Sequence, residues 1–213
     1  MTAALFVLNG LERSGTIWTT RLLADSLGIA AHSRQNDPPF TTEDDPAVWH
    51  LERSGKYMRR LHCFVQAYPY DNVPCVIIQR DPRDVAVSQV EATRIEEPYD
   101  VYAERLLPNW CHFHEEWWTD PRRVGHVRYE DLLTNPHKEI SRVIGLLGLP
   151  INLEAIDRAV QEHKFSAMNN KHKGRHGKAG TWREALSPGG AARLWELYGH
   201  VLLRFGYGSK GVL

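Results

Sequence analysis

Net charge is the first thing this sequence lacks: 26 Lys and Arg residues offset 26 Asp and Glu residues, leaving +0. A neutral chain has no bulk attraction for nucleic acid or an acidic membrane, so any anion it binds is held by a local cluster of basic groups. Cysteine is scarce. Cys63, Cys75 and Cys111 are odd in number and form no CxxC pair, which argues against a disulfide framework or a structural zinc site. Three reduced thiols fit a cytoplasmic protein, the expected location. Nothing approaches the ~18 apolar residues of a membrane span. The stretch from Met1 to Asn9 lacks a basic start followed by a long apolar run, so a strand is expected there and not a signal peptide. Repeats, low-complexity tracts and linkers are also missing. The expectation is a single domain over residues 1–213 with an ordinary core.

The apolar residues that are present follow two periods. Leu5 to Asn9 is a short apolar run ending at Gly10, as a buried strand feeding a turn does. Thr16 to Leu27 carries Ile17, Leu22, Leu23 and Leu27 at helical spacing, with Gly28 as a stop signal. Strand, glycine turn and helix open a βαβ unit. His32 to Asp45 reads as a loop and Pro46 to Tyr57 as a helix. Leu61 to Val65 is a second strand candidate, and Cys75 to Gln79 a strand apolar enough for burial on both faces. Asp81-Pro82 supplies an N-cap and a first-turn proline for a helix to about Ala92. Tyr99 to Thr119 is a long aromatic helix, and Val124 to Tyr129 a fourth strand. Helices follow at His137 to Leu147, at Leu153 to His163, and from Ser187-Pro188 to near Phe205. Between them, Phe165 to Thr181 is a glycine-rich basic loop. Alternating strands and helices predict a central parallel sheet of four to five strands flanked by helices on both faces.

Two segments carry the chemistry. In Gly10-Leu-Glu-Arg-Ser-Gly15-Thr-Ile-Trp18 a glycine turn joins a strand to a helix. Several backbone N–H groups then surround one point at a positive helix end, which suits a phosphate. The spacing is that of a P-loop, but Thr16 follows Gly15 where a lysine would be required, and Arg13 supplies the positive charge instead. The missing lysine, and the absence of an obvious Mg²⁺ carboxylate after a strand, disfavour an ATPase or GTPase. In Ile77-Ile-Gln-Arg80-Asp-Pro-Arg83-Asp84-Val-Ala-Val-Ser88, Arg80 ends a strand, where ligands of open α/β sheets collect. Ser88 lies two helical turns on. Arg83 reads more simply as a surface arginine paired with Asp81 or Asp84.

Together these segments resemble the sulfotransferases that use 3′-phosphoadenosine 5′-phosphosulfate (PAPS). Arg13-Ser-Gly-Thr-Ile-Trp18 is similar to their Lys-Ser-Gly-Thr-Thr-Trp loop. Arg80 to Ser88 resembles their 3′-phosphate strand–helix segment, and Tyr129-Glu-Asp-Leu their Tyr-Glu-Asp-Leu segment. Arg175-His-Gly177-Lys-Ala-Gly180-Thr-Trp182 resembles their Arg-Lys-Gly-x-x-Gly-x-Trp loop. The four occur in family order across nearly the whole chain. The resemblance implies a P-loop-like three-layer sandwich, PAPS as donor, adenosine 3′,5′-bisphosphate (PAP) as product, and no metal. It implies that Arg13, Ser14, Gly15, Thr16 and Ile17 hold the 5′-phosphosulfate. Arg80, Ser88, Arg175, His176 and Gly177 belong to the 3′-phosphate, and Trp18, Tyr129 and Phe165 to the adenine. For the three aromatics, core packing is the competing reading. His62, in Arg60-Leu-His62, matches the family's Lys-Thr-His and is the candidate general base. A histidine of pKa ~6.5 accepts a proton near neutrality. Arg13 and Arg60 are candidates to neutralise developing charge. His112 and His114 are rivals for the base.

Several positions depart from that pattern. Arg13 replaces a lysine and cannot donate a proton near neutral pH. Glu12 replaces a proline, Ile17 a threonine and His176 a lysine. Arg183, Ser187, Pro188 and Ala192 fall where the family's dimer motif would lie, so a monomer or weak dimer is expected. The acceptor is expected to be a small molecule with a hydroxyl or amine, without nucleic acid or membrane as partner. Two rival readings remain, a P-loop small-molecule kinase and a nucleotide-binding module without catalysis.

Overall fold

The computed structural model describes residues 5–33, 57–68, 70–164 and 177–212. Strands β1 (Phe6–Asn9), β2 (Ala30–Ser33), β3 (Tyr57–Leu61), β4 (Cys75–Gln79) and β5 (Arg123–Arg128) form one all-parallel sheet in the order β2-β3-β1-β4-β5. β1 and β4 lie inside the sheet and are buried along their whole length, which is why both read as unbroken apolar runs. Successive side chains serve opposite faces. Phe6, Leu8, Met58, Val76 and Ile78 meet α1 (Thr16–Leu27), α4 (Tyr129–Thr134), α5 (Pro136–Leu146) and α6 (Leu153–Glu162) through Leu22, Leu132, Ile140 and Ile156. Val7, Leu61, Cys75 and Ile77 meet Phe113 and Trp117 of α3 (Tyr99–Thr119). Outside that layer, α3 packs against α2 (Pro82–Thr93), α7 (Trp182–Ala185) and α8 (Pro188–Arg204). Helices thus cover both faces of the sheet.

Local chemistry places the helix starts. The side chains of Asp81, Asn135, Asn152 and Ser187 accept from the backbone N–H of Arg83, Lys138, Ala155 and Gly190, capping α2, α5, α6 and α8. Pro82, Pro136 and Pro188 follow three of those caps. α1 stops at Gly28, whose φ of 60° closes it in the left-handed conformation.

The strand expected at Leu61 to Val65 instead spans Tyr57–Leu61, with a short 3₁₀ turn at Val65–Ala67. β2 begins at Ala30 and takes in the first two residues of the loop expected from His32, and α4 and α7 lie where no helix is expected. A two-stranded antiparallel hairpin, β6 (Tyr207–Gly208) with β7 (Gly211–Val212), closes the chain's described part. The helix expected up to Tyr57 lies outside the described residues apart from Tyr57 itself, which is in β3.

Because all five strands are parallel, Gly10, His62, Arg80 and Tyr129 emerge at one edge of the sheet, just beyond β1, β3, β4 and β5. β1 has β3 on one side and β4 on the other, so the chain changes direction there. Such a switch point opens a crevice at the carboxyl ends of the strands.

Arg83 pairs with Asp81 as one of the two partners expected, but it is buried and not at the surface. Nε and Nη2 reach Oδ1 and Oδ2 of Asp81 at 2.9 and 2.7 Å, Nη2 also donates to the Gly208 carbonyl at 3.0 Å, and the guanidinium lies 3.9 Å over the Trp182 ring. Removing one member of such a pair strands a buried charge. Arg83→Met is expected to destabilise the fold by about 3–5 kcal/mol. Asp81→Asn keeps the cap and removes the stranded charge, so the double variant should recover part of that loss. A double-mutant cycle from denaturant melts checks the coupling.

Candidate active site

The β1–α1 loop is shaped by backbone conformation more than by side chains. Arg13 and Gly15 both have positive φ, 65° and 92°. The Ser14 N–H turns back to the Leu11 carbonyl at 3.2 Å. Gly15 caps α1 with no side-chain hydrogen bond, leaving the first amides of the helix free of a side-chain cap. A β-carbon on Gly15 would come within 2.4 Å of Tyr129 Cδ2, so only glycine fits between that ring and the loop. Inside the loop the Ser14 hydroxyl is fully buried, with no hydrogen-bond partner among the described residues. Thr16 is buried and Ile17 half-buried.

Arg80 joins this loop to three other segments. Nη1 donates to the Arg13 carbonyl at 2.9 Å and Nη2 to the Lys178 carbonyl at 3.2 Å. The guanidinium sits 4.5 Å over the Tyr129 ring. The Arg80 carbonyl accepts from Trp110 Nε1 at 3.1 Å. Arg80 Nε is buried without a partner among the described residues. From α2, the Ser88 hydroxyl accepts from Arg13 Nε at 3.2 Å. Burial, and then the nearby Arg80 cation, pull the Arg13 pKa below its ordinary value. Tyr129 is pushed up by burial and makes a backbone hydrogen bond with Gly177. Arg13, Ser14, Gly15, Thr16, Arg80, Ser88, Tyr129 and Gly177 therefore belong to one corner. Phe165, Arg175 and His176 lie outside the described residues.

Trp18 is 7% exposed and packs in the core edge-to-face with Tyr129, ring centroids 6.1 Å apart. Its indole N–H donates to the His163 carbonyl at 2.9 Å. The His163 ring pairs in turn with Asp25 of α1.

His62 follows β3 and is exposed. Its Nδ1 lies 2.5 Å from the Gly10 carbonyl. A carbonyl only accepts, so Nδ1 carries the proton and Nε2 presents a lone pair. Burial lowers the His62 pKa, the Gly10 contact opposes that, and Arg60 lowers it further. Arg60 is 2% exposed, and burial lowers its pKa as well, against the charge of Glu12. A residue missed in the sequence sets this geometry. Fully buried Asn9 donates to the Cys63 carbonyl at 2.8 Å and accepts from the Cys63 N–H at 3.1 Å. Its signal, one polar residue closing an apolar strand, is too common to have marked it.

The rival histidines lie elsewhere. His114 is 3% exposed among Trp110, Phe113 and Phe205, where burial drops its pKa to about 3. His112 is exposed, pairs with Glu116 on its own helix at 3.3 Å and rests against the Phe64 ring. Among the described residues no group of three or more His, Cys, Asp or Glu side chains is placed to hold a metal, and no helix is long and apolar enough to cross a membrane.

Behind Arg80, Glu130 accepts from the Asp81 N–H at 2.9 Å and from the Tyr207 hydroxyl at 3.2 Å. Burial raises its pKa to about 7, against the opposing backbone N–H of Asp81.

Comparison with known proteins adds three findings. The family model described as the Sulfotransferase domain matches residues 5–206. Sulfotransferase 1A1 of the dog, Canis lupus familiaris, is 28% identical over 112 residues, which cover 46% of this chain and 38% of that protein; the cattle protein is 26% identical over 110 residues, 45% of this chain and 37% of its own length. The matched stretch is thus well under half of either relative. The fold is shared with mouse sulfotransferase SULT7A1 complexed with PAP, at TM-score 0.73 and 16% identity over 95% of this chain and 85% of that one. It is also shared with retinol dehydratase in complex with androsterone and PAP, at TM-score 0.70 and 20% identity over 95% and 82% of the two chains.

The position of Glu130 makes stability pH-dependent. A carboxyl whose folded pKa is raised stabilises the fold below its unfolded value, and that contribution is lost as pH rises through the folded one. Glu130→Gln removes the titration and keeps an acceptor for the Asp81 N–H. Relative to Glu130→Gln, the native protein should lose on the order of 2–3 kcal/mol between about pH 4.5 and pH 7. Paired denaturant melts across that range provide the measurement.

Proposed function

Because the chain belongs to the sulfotransferase domain family, we propose that it moves the sulfuryl group of PAPS to a hydroxyl or amine of a small-molecule acceptor. One observation carries this reading. Amides at the start of α1, the Arg80 guanidinium, the Ser88 hydroxyl and the Gly177 backbone share a corner in which the buried Ser14 hydroxyl and Arg80 Nε lack partners among the described residues. Two separated phosphate groups on one nucleotide fit that donor set. PAP is the nucleotide named with the related mouse sulfotransferase and with retinol dehydratase.

The roles rest on the family resemblance, supported for the described residues by their shared corner. Arg13, Ser14, Gly15, Thr16 and Ile17 cradle the 5′-phosphosulfate. Arg80, Ser88 and Gly177 hold the 3′-phosphate, with Arg175 and His176 just before Gly177 in the chain. Tyr129 and Trp18, with Phe165, border the adenine; for Trp18 and Tyr129 this adds to an evident packing role.

In the reaction the acceptor oxygen or nitrogen attacks sulfur in line. The new bond to sulfur forms as the bond between sulfur and the bridging phosphate oxygen breaks, and PAP leaves with that electron pair. The acceptor proton goes to Nε2 of His62, whose tautomer the Gly10 carbonyl fixes. Arg13 and Arg60 offset charge on the leaving phosphate and the sulfuryl oxygens, a positioning and electrostatic role.

Four expected outcomes test the reading. PAP should bind far more tightly than ATP with Mg²⁺ by calorimetry; the reverse order would favour a kinase. His62→Ala should lower turnover by ~10²–10⁴-fold, and near-native turnover removes His62 from the mechanism. In the native protein kcat/KM should rise with pH through a pKa below the ordinary histidine value and level off by neutrality, because the neutral ring is the base and burial lowers its pKa. Ser14→Ala breaks no hydrogen bond of that hydroxyl among the described residues, so stability should change little while PAP affinity falls by about 1.5–3 kcal/mol.

A further inference from the structure

Asp84 was read in the sequence only as a partner for Arg83, and the structure gives it different work. It lies in the first turn of α2, where a negative charge is favoured by the helix end, and it is 1% exposed. Oδ2 accepts from the Gly180 N–H at 2.6 Å. Oδ1 accepts from Thr181 Oγ1 at 2.8 Å and from the Trp182 N–H at 3.0 Å. All three donors belong to the segment that begins at Gly177. The backbone there is sharply bent: Gly180 has φ 76°, and a β-carbon on it would meet Arg183 Nη1.

Two neighbours of Asp84 engage the same corner. Arg80, four residues earlier, takes the Lys178 carbonyl, and Ser88, one helical turn later, accepts from Arg13. One carboxylate therefore fixes the Gly180–Trp182 backbone relative to the two residues assigned to the 3′-phosphate. Resting on that assignment, we propose that Asp84 is a positioning residue for donor selectivity. It holds Gly177 and Lys178 in register with Arg80 and thereby sets the preference for a nucleotide bearing a 3′-phosphate over one that lacks it. Asp84 itself touches no nucleotide.

The substitution Asp84→Asn separates this role from general stability. The amide oxygen can keep the Thr181 and Trp182 bonds, while its NH₂ faces the Gly180 N–H, donor against donor. PAP and adenosine 5′-monophosphate (AMP) differ only by the 3′-phosphate, so their dissociation constants are compared by calorimetry in native and variant protein. The expected result is PAP affinity about 10- to 100-fold weaker in Asp84→Asn with AMP affinity within about twofold. Amide exchange at Gly180 should be faster in the variant, with the sheet amides unchanged. Equal losses for PAP and AMP, or none for either, overturn the proposal. If Asp84→Asn does not fold, Thr181→Val removes a single bond and is expected to weaken PAP alone, by about 3- to 10-fold; equal losses there are again fatal. Native protein with no preference for PAP over AMP would instead sink the donor assignment, and the selectivity role with it.

Discussion

A single buried cation holds the site together. Arg80 sets its guanidinium against two backbone carbonyls and one aromatic face, leaves Nε without a partner among the described residues, and has no carboxylate among those three contacts. Neutral acceptors meet part of the hydrogen-bonding demand of a desolvated guanidinium and do not cancel its charge. Arg13 adds a second cation close by, and its depressed pKa registers both burial and that repulsion. Glu12 and Glu91 act on Arg13 in the opposite sense, so the corner gathers two cations against only part of that repulsion, in a chain whose total charge is +0. Local excess against global neutrality is what distinguishes an anion site from a generally basic surface.

The same economy of contacts organises the other side of the crevice. Asn9 ends β1 and Gly10 follows it, and between them they grip the last residue of β3 and the two residues after it. The Gly10 N–H reaches the Leu61 carbonyl, the Gly10 carbonyl meets the His62 ring, and the Asn9 side chain takes both backbone groups of Cys63. A ring held this way is oriented by backbone, which cannot rotate away as a partner side chain could. The corner around Arg80 and the His62 ring are thus both referenced to β1, the strand at which the topology reverses.

Much of this was legible in the sequence, for physical reasons that also explain the misses. β1, β4 and α1 announce themselves because doubly buried strands must be apolar throughout and a glycine must end the helix. β3 was read four residues late because Arg59 and Arg60 interrupt its apolar pattern, although Arg60 is in fact buried. β2 is Ala-Ala-His-Ser, too small and polar to stand out, and Tyr129–Thr134 is too short to show a helical period. Arg83 looked like a surface residue because sequence carries no sign that Asp81, Gly208 and Trp182 would enclose it. Asn9 and Asp84 escaped for a related reason: each works by bonding backbone far along the chain, and backbone groups have no sequence identity to recognise.

The spans bridged by these contacts have a consequence for how the chain matures. Asn9 reaches across 54 residues, Arg80 across 98, Gln79 to Phe205 across 126. During synthesis β1 has no neighbour until β3 emerges, and its second flank stays open until β4 follows. The Arg80 corner waits longer still, until residues 178–182 have left the ribosome. Long-range closure of this kind makes parallel sheets slow to form. A nascent chain would thus present its sheet well before the Arg80 corner could close, and closure of that corner marks the completion of folding.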